Sequence, residues 1–328
     1  MKKWIVGAII VIATATATFY AVTHRNESSP LSQKITLRVP DTRFMGILPL
    51  YVAEEKGFFE QEGIAIQWID VRDPGQAEKI FHAGQADFFM TTFANLIPAE
   101  VRKPGTIRLL YPIYESAEQP GSYILVRSDS DIKTVQDLHG KTLGTYSGPS
   151  QKAYALIVLQ KIGLREPDDV RLIQVASSTQ VQCLFGGVYD ALFTVETFGS
   201  TAISKGARIV ESGVRTKYIN NPFWLGSAAI SASLAKNQPQ IIVGILNALG
   251  KAAKYIKEHE VEAREILAQR TNTEKEVAQR CALYTWVTHP TNQDLKQIQG
   301  HVDLLMAEKL IDKSVVVTDI FEGVLNEK

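Results

Sequence analysis

Four short clusters of aromatic and polar residues are the places where this 328-residue chain could do chemistry. The first is Thr42, Arg43 and Phe44, and the second is Thr91, Thr92, Phe93 and Asn95. Tyr146, Ser147, Ser150 and Gln151 form the third, and Glu196 sits in the fourth, VETFG. Trp224 follows in a later apolar run. Such a mixture suits a small-molecule pocket, which is mostly apolar with a few placed polar groups. Phe44, Phe93, Tyr146 and Trp224 would wall it, while Thr91, Thr92, Asn95, Ser147 and Gln151 would orient a solute. A helix starting near 148–151 would add backbone N–H groups for an anionic or carbonyl oxygen. Plainer readings stand beside these. Ser147 and Ser150 serve equally as helix caps, Phe44 and Phe93 as core, and Arg43 as a solvated loop charge. Glu196 follows a strand-like apolar run, Ala191–Val195, where a carboxylate must find a partner. That partner is a donor on a solute, a nearby lysine, or a helix end.

Bond-making motifs fail on inspection. Gly140-Lys141-Thr142 ends like a phosphate loop, but Val135 stands where its first glycine is required. Gly144 to Gly148 has the wrong spacing for a nucleophile elbow. The histidines, including His82, His139 and His289, lack metal-ligand spacing. The expectation is capture without catalysis, with no cofactor and no metal.

The elements that must position these clusters alternate between strand-like and helix-like, which argues an α/β fold. An internal echo organises them. Strands expected at Ile35–Val39, Ile64–Ile69 and Asp87–Met90 are matched by Lys141–Thr145, Val170–Val175 and Asp190–Val195. Leu37 to Ile66 is 29 positions, and Leu143 to Leu172 is also 29. Each third strand follows a glycine-containing turn ending in Asp, AGQAD at 83–87 and GGVYD at 186–190. Two β-α-β-α-β units are the simple reading. In open α/β sheets ligands sit beyond the carboxyl ends of strands, which is where the four clusters fall. Apolar spacing predicts helices over 76–83 and 149–162, with a short one at 131–138. GSYILVR at 121–127 and FWLGSAAIS at 223–231 are expected to cross between two lobes. The last third should be helical, roughly 238–258, 260–269, 273–285, 291–309 and 315–325, with Gly244 and Gly250 weakening one straight helix.

Length favours two lobes over one core. Thirty-five basic residues balance 35 acidic ones, which argues against a nucleic-acid partner. Lys2-Lys3 precede an uncharged run from Trp4 to Val22, with small residues at Ala15, Ala17 and Ala21. This reads as a cleaved signal peptide or an uncleaved anchor, followed by a polar linker at 23–34. The two cysteines, Cys183 and Cys281, fall in different expected lobes, so two free thiols are the simpler reading.

One stretch, Ile35 to Ile64, carries a family resemblance. Pro49-Leu50-Tyr51-Val52-Ala53 and Lys56-Gly57-Phe58-Phe59 are similar to a signature of the nitrate/sulfonate/taurine/thiamine-pyrimidine (NMT1/THI5-like) group of solute-binding proteins. The resemblance runs over roughly residues 35–230. It implies a type II periplasmic-binding-protein fold with two lobes and a two-strand hinge, 35–122 with 227–328 and 123–226. It also implies a monomer exported to the periplasm that hands a small organic solute to an ABC permease and its ATPase. Phe93 and Asn95 fall where relatives place first-lobe contacts, and Thr145 to Gly148 matches the second-lobe polar loop. Glu196 stands where the family often has Glu-Pro, with Thr197 replacing the proline. A branch that makes a thiamine pyrimidine carries a cysteine-rich motif absent here.

Overall fold

The computed structural model describes residues 34–71 and 74–322. The targeting segment expected at 1–22, and all but the last residue of the linker, lie outside the described residues. Among the described residues no helix is long and apolar enough to cross a membrane.

Eleven strands are described: β1 (Ile35–Asp41), β2 (Ile64–Asp70), β3 (Phe88–Thr92), β4 (Ile107–Glu115), β5 (Ser122–Val126), β6 (Thr142–Tyr146), β7 (Arg171–Val175), β8 (Ala191–Val195), β9 (Arg208–Ser212), β10 (Phe223–Ser231) and β11 (Thr285–Trp286). In the first lobe β1 pairs in parallel with β2, and a second ladder runs β11-β4-β10-β3. The Asp87 N–H donates to the Arg38 carbonyl (2.9 Å), so β1 meets the turn into β3. The second lobe is one five-stranded sheet in the order β7-β6-β8-β5-β9. Each lobe therefore repeats one plan. Three strands come from a β-α-β-α-β unit, and the third is bordered by an antiparallel strand arriving from the other lobe. The 29-residue spacing is the parallel register itself: Leu37 pairs with Ile66, and Leu143 with Leu172.

Thirteen α-helices join them: α1 (Leu48–Glu55), α2 (Phe58–Gln61), α3 (Pro74–His82), α4 (Phe93–Arg102), α5 (Pro149–Lys161), α6 (Gln180–Phe185), α7 (Phe198–Ser204), α8 (Val214–Tyr218), α9 (Ala232–Asn237), α10 (Gln240–Glu258), α11 (Glu260–Thr271), α12 (Lys275–Arg280) and α13 (Asn292–Ala307). The signature stretch is structural. Leu50, Tyr51, Val52 and Ala53 of α1 are fully buried, and Gly57 ends the turn at φ 70°, a left-handed conformation glycine adopts without strain. Tyr51 donates to Asp41 and stacks under the Arg270 guanidinium (4.3 Å), so α11 is fastened over α1.

Three expectations need correction. The runs at 121–127 and 223–231 do not cross between lobes. β5 lies wholly in the second sheet, between β8 and β9, and β10 wholly in the first, between β4 and β3. The chain changes lobes in 116–121 and 213–222, so Phe223–Gly226 belong with the first lobe. Buried patterns, complete in β5 and broken only at Ser231 in β10, reflect central sheet positions, which a reading by apolar content alone confuses with a crossing. Helix does not fill 273–285 or the described part of 315–325, which ends at 322: α12 stops at Arg280, Thr285–Trp286 join β4 as an edge strand, and only a turn of 3-10 helix stands at Val317–Asp319. Trp286 holds that edge by donating to the Gly46 carbonyl (2.9 Å). Finally, α10 runs unbroken through Gly244, because a Cβ there would come within 3.1 Å of Ile64; the glycine permits close packing.

Candidate functional site

The two lobes meet at a buried junction assembled from their strand ends and from the C-terminal segment. Glu115 closes β4 just before the outward crossing, and Arg215 lies in α8 on the return. Their side chains, 0% and 1% exposed, form an ion pair at 2.7 Å. Ser122, first residue of β5, donates to the other Glu115 oxygen (2.7 Å) and accepts from the Arg215 backbone (3.0 Å). Burial disfavours the guanidinium charge, but Glu115, with Tyr284 and Tyr146 beside it, more than offsets this and holds it above its ordinary value.

Aromatic rings surround this pair. Arg215 stacks on Phe223 (4.8 Å), and Phe223 meets Tyr154 and His301 edge-on, both at 5.1 Å. Tyr154 of α5 and His301 of α13 share a hydrogen bond across the lobes (3.0 Å). Tyr146 and Tyr284 are electrostatically coupled to both Arg215 and Glu115, and burial pushes both hydroxyls up. Burial, with Arg215 nearby, pulls His301 down to about 4, so its ring is neutral at pH 7. Among the described residues, buried polar atoms without a hydrogen-bond partner include Arg215 Nε, Tyr284 Oη and His301 Nδ1 at the junction, and also Gln151 Oε1, Thr92 Oγ1, Thr42 Oγ1, Glu100 Oε2 and Tyr111 Oη. The Tyr284 hydroxyl sits beside Arg215 without a well-formed bond to it. Unpaired buried polar groups are uncommon and cluster where a protein acts on something else.

The predicted residues divide around this junction. Phe44 packs on Tyr284 (6.0 Å), Phe93 on His301 (6.1 Å), and Tyr146 faces the ion pair. Gln151 is 1% exposed and donates to Thr145 Oγ1 (2.9 Å), leaving its carbonyl oxygen free. Thr92 and Thr42 bring unpartnered hydroxyls, whereas Thr91 and Asn95 bond each other (3.0 Å). Ser150 lies in the first turn of α5 and is half-buried. Others are directed elsewhere. Arg43 is exposed and pairs with Asp70 (3.2 Å). Ser147 is exposed and donates to the Val175 carbonyl (3.0 Å). Trp224 bonds Gln297 (3.0 Å) within the first lobe, and its neighbour Phe223 takes the junction position.

Glu196 finds its donors within the chain. Its carboxylate accepts from Tyr123 Oη (2.8 Å), Ser200 N (3.1 Å), Ser200 Oγ (2.8 Å) and Ala282 N (3.1 Å). It thereby caps the start of α7 and joins the lobes through Ala282. Burial raises its pKa, with those four bonds opposing. Both cysteines are free, Cys183 half-buried and Cys281 buried, with the Cys281 thiol pushed up to about 11 chiefly by burial. A surface hollow of about 410 Å³ between Pro98, Arg102 and Ile311 lies away from all these groups and brings no comparable polar set.

Sequence reasoning missed Glu115, Tyr154, Arg215, Phe223, Tyr284 and His301. The strand-end rule, applied to antiparallel β4 and β9 as well, would have found the first and pointed towards Arg215.

Comparison with known proteins gives a consistent picture. The family described as NMT1/THI5 like matches residues 45–263. A Bacillus subtilis protein named for binding aliphatic sulfonates is 26% identical over 291 residues, 85% of this chain and 84% of its own. A Legionella pneumophila protein named as 4-amino-5-hydroxymethyl-2-methylpyrimidine phosphate synthase is 21% identical, over 67% of this chain and 68% of its own. Among solved structures, the alkanesulfonate-binding protein from Xanthomonas axonopodis pv. citri bound to MOPS superposes with a TM-score of 0.71 at 20% identity, covering 89% of this chain and 99% of that one. The fold is that of the periplasmic binding proteins.

Proposed function

From the premise that this chain belongs to the NMT1/THI5-like family, we propose that it is an exported solute-binding protein. It captures a small organic solute at the lobe junction and presents the closed form to an ABC importer. The carrying observation is the junction itself: aromatic walls and unpartnered polar atoms from both lobes meet at one buried place. Such a surface is reached by a solute only when the lobes part, and a bound solute favours their closure. The relative named for aliphatic sulfonates supports this reading over conversion of the solute. So does the chemistry of the thiols. Cys281, held protonated at neutral pH and enclosed, is a poor nucleophile, since the thiolate is the reactive form.

Ligand-linked stabilisation tests the proposal. A solute at 100 times its dissociation constant stabilises the folded chain by about 2.7 kcal/mol. The soluble chain should melt later with its solute, and its radius of gyration should fall on saturation. Turnover of the solute into a new compound would overturn the reading.

A further inference from the structure

Charge at the junction deepens this reading and rests on it. Arg215 is the cation whose field reaches Tyr146, Tyr154, Tyr284 and His301, and its partner Glu115 lies 2.7 Å away. Arg43, the cation of the first predicted cluster, is exposed and paired with Asp70. Glu196 has its own donors. Arg215 and Glu115 are therefore already matched, and the Glu196 carboxylate is met by neutral donors alone, so these groups leave no unmatched cation at the junction. The unpartnered atoms are a hydroxyl on Tyr284, another on Thr92, the neutral ring nitrogen of His301, the amide oxygen of Gln151 and a single N–H of the neutralised guanidinium. Donors and an acceptor are both present, and flat rings surround them.

We propose that the junction selects an uncharged, planar solute bearing both hydrogen-bond donors and acceptors, and that Glu115 is the residue that turns organic anions away. An anionic head group at Arg215 must displace Glu115, which is 0% exposed and loses its cation, or lie beside its carboxylate in a medium that screens poorly. An uncharged solute meets neither obstacle. It fills the bonds that Gln151, Thr92 and Tyr284 leave open. This sets the chain apart from the sulfonate ligands in the names of its relatives.

Matched pairs of ligands, equal in shape and different in charge, decide the matter. Calorimetry and thermal shift on the exported chain would compare benzenesulfonamide with benzenesulfonate, nicotinamide with nicotinate, and benzamide with benzoate. The uncharged member of a pair should bind at least tenfold more tightly. Glu115→Gln should narrow or reverse that preference by freeing Arg215, and the double variant Glu115→Gln with Arg215→Gln should restore it. Should the single variant fail to fold, the wild-type pairs and the double variant still decide. Tighter binding of the anions by the wild-type chain overturns this inference and leaves the solute-binding reading standing. Failure of every pair to bind a folded chain counts against the solute-binding reading itself, and this inference falls with it.

Discussion

Glu115 and Glu196 are both sealed at the lobe junction, 0% and 2% exposed, yet their charges are met in opposite ways. Glu115 has a guanidinium and one hydroxyl; Glu196 has two hydroxyls and two backbone N–H groups, and no cation. The first arrangement ties the outward crossing to the return crossing, close to the hinge. The second ties α7 to the segment after α12. A cation cancels a buried charge and keeps the site neutral. Neutral donors only solvate one, so burial still raises the pKa of Glu196. The proposed selectivity therefore rests on the ion pair, while the solvated carboxylate joins the two lobes.

Removing one partner of the pair should have the largest effect. Arg215→Ala leaves Glu115 buried and unmatched, and chemical denaturation should register a loss of about 3–5 kcal/mol. Replacing both partners with glutamine should recover most of it; equal losses in the single and double variants would break the contrast drawn here.

Next comes His301, the neutral contact on the far side of the pair. Its folded value, about 4, lies below the ordinary 6.5, so the unfolded chain takes up a proton first as pH falls. Its contribution is complete above pH 6.5 and is lost on descent towards about 4. The full loss is on the order of 3 kcal/mol. Stability measured against pH should show this slope in the wild type and a shallower one in His301→Gln. Parallel curves would remove His301 from the account.

Glu196→Gln should cost about 1–3 kcal/mol, since an amide nitrogen then faces a donor. The pH signature has the other sign. A carboxyl whose folded pKa is raised contributes most below its unfolded value, near 4.5, and loses that contribution as pH rises through the folded value. The wild type should gain on the variant in acid. A gap that widens towards neutral pH instead would mean the carboxylate is held below its ordinary value. Smallest of all, Arg43→Ala should change stability by no more than about 0.5 kcal/mol, because its pair with Asp70 is exposed.

The fold was largely legible because its repeat is written in spacing. Twenty-nine residues separate paired positions in the β1–β2 and β6–β7 ladders, and period and turn chemistry mark each strand. Cluster loops such as Tyr146–Gln151 were legible for the same reason: they follow those strands. The ion pair was not. Glu115 and Arg215 are 100 positions apart, and Arg215 sits in VRTKY, a string that reads as surface helix. Tyr284 and His301 come from the C-terminal third, whose apolar spacing reveals helices but not the lobe they reach across to. For Glu196 the helix end was among the partners the sequence offered, but no local pattern announces Tyr123 or Ala282.

Titration of Gln151→Ala with a solute tests capture at the lobe junction. This side chain is buried at the junction with a free carbonyl oxygen, and its N–H bond to Thr145 lies within its own lobe. For a solute that binds the wild-type chain, calorimetry should give one site per chain and the solute should be recovered unchanged. The variant should bind at least tenfold more weakly, about 1.4 kcal/mol. Unaltered affinity in a folded variant, or recovery of a converted product, would contradict capture at the junction.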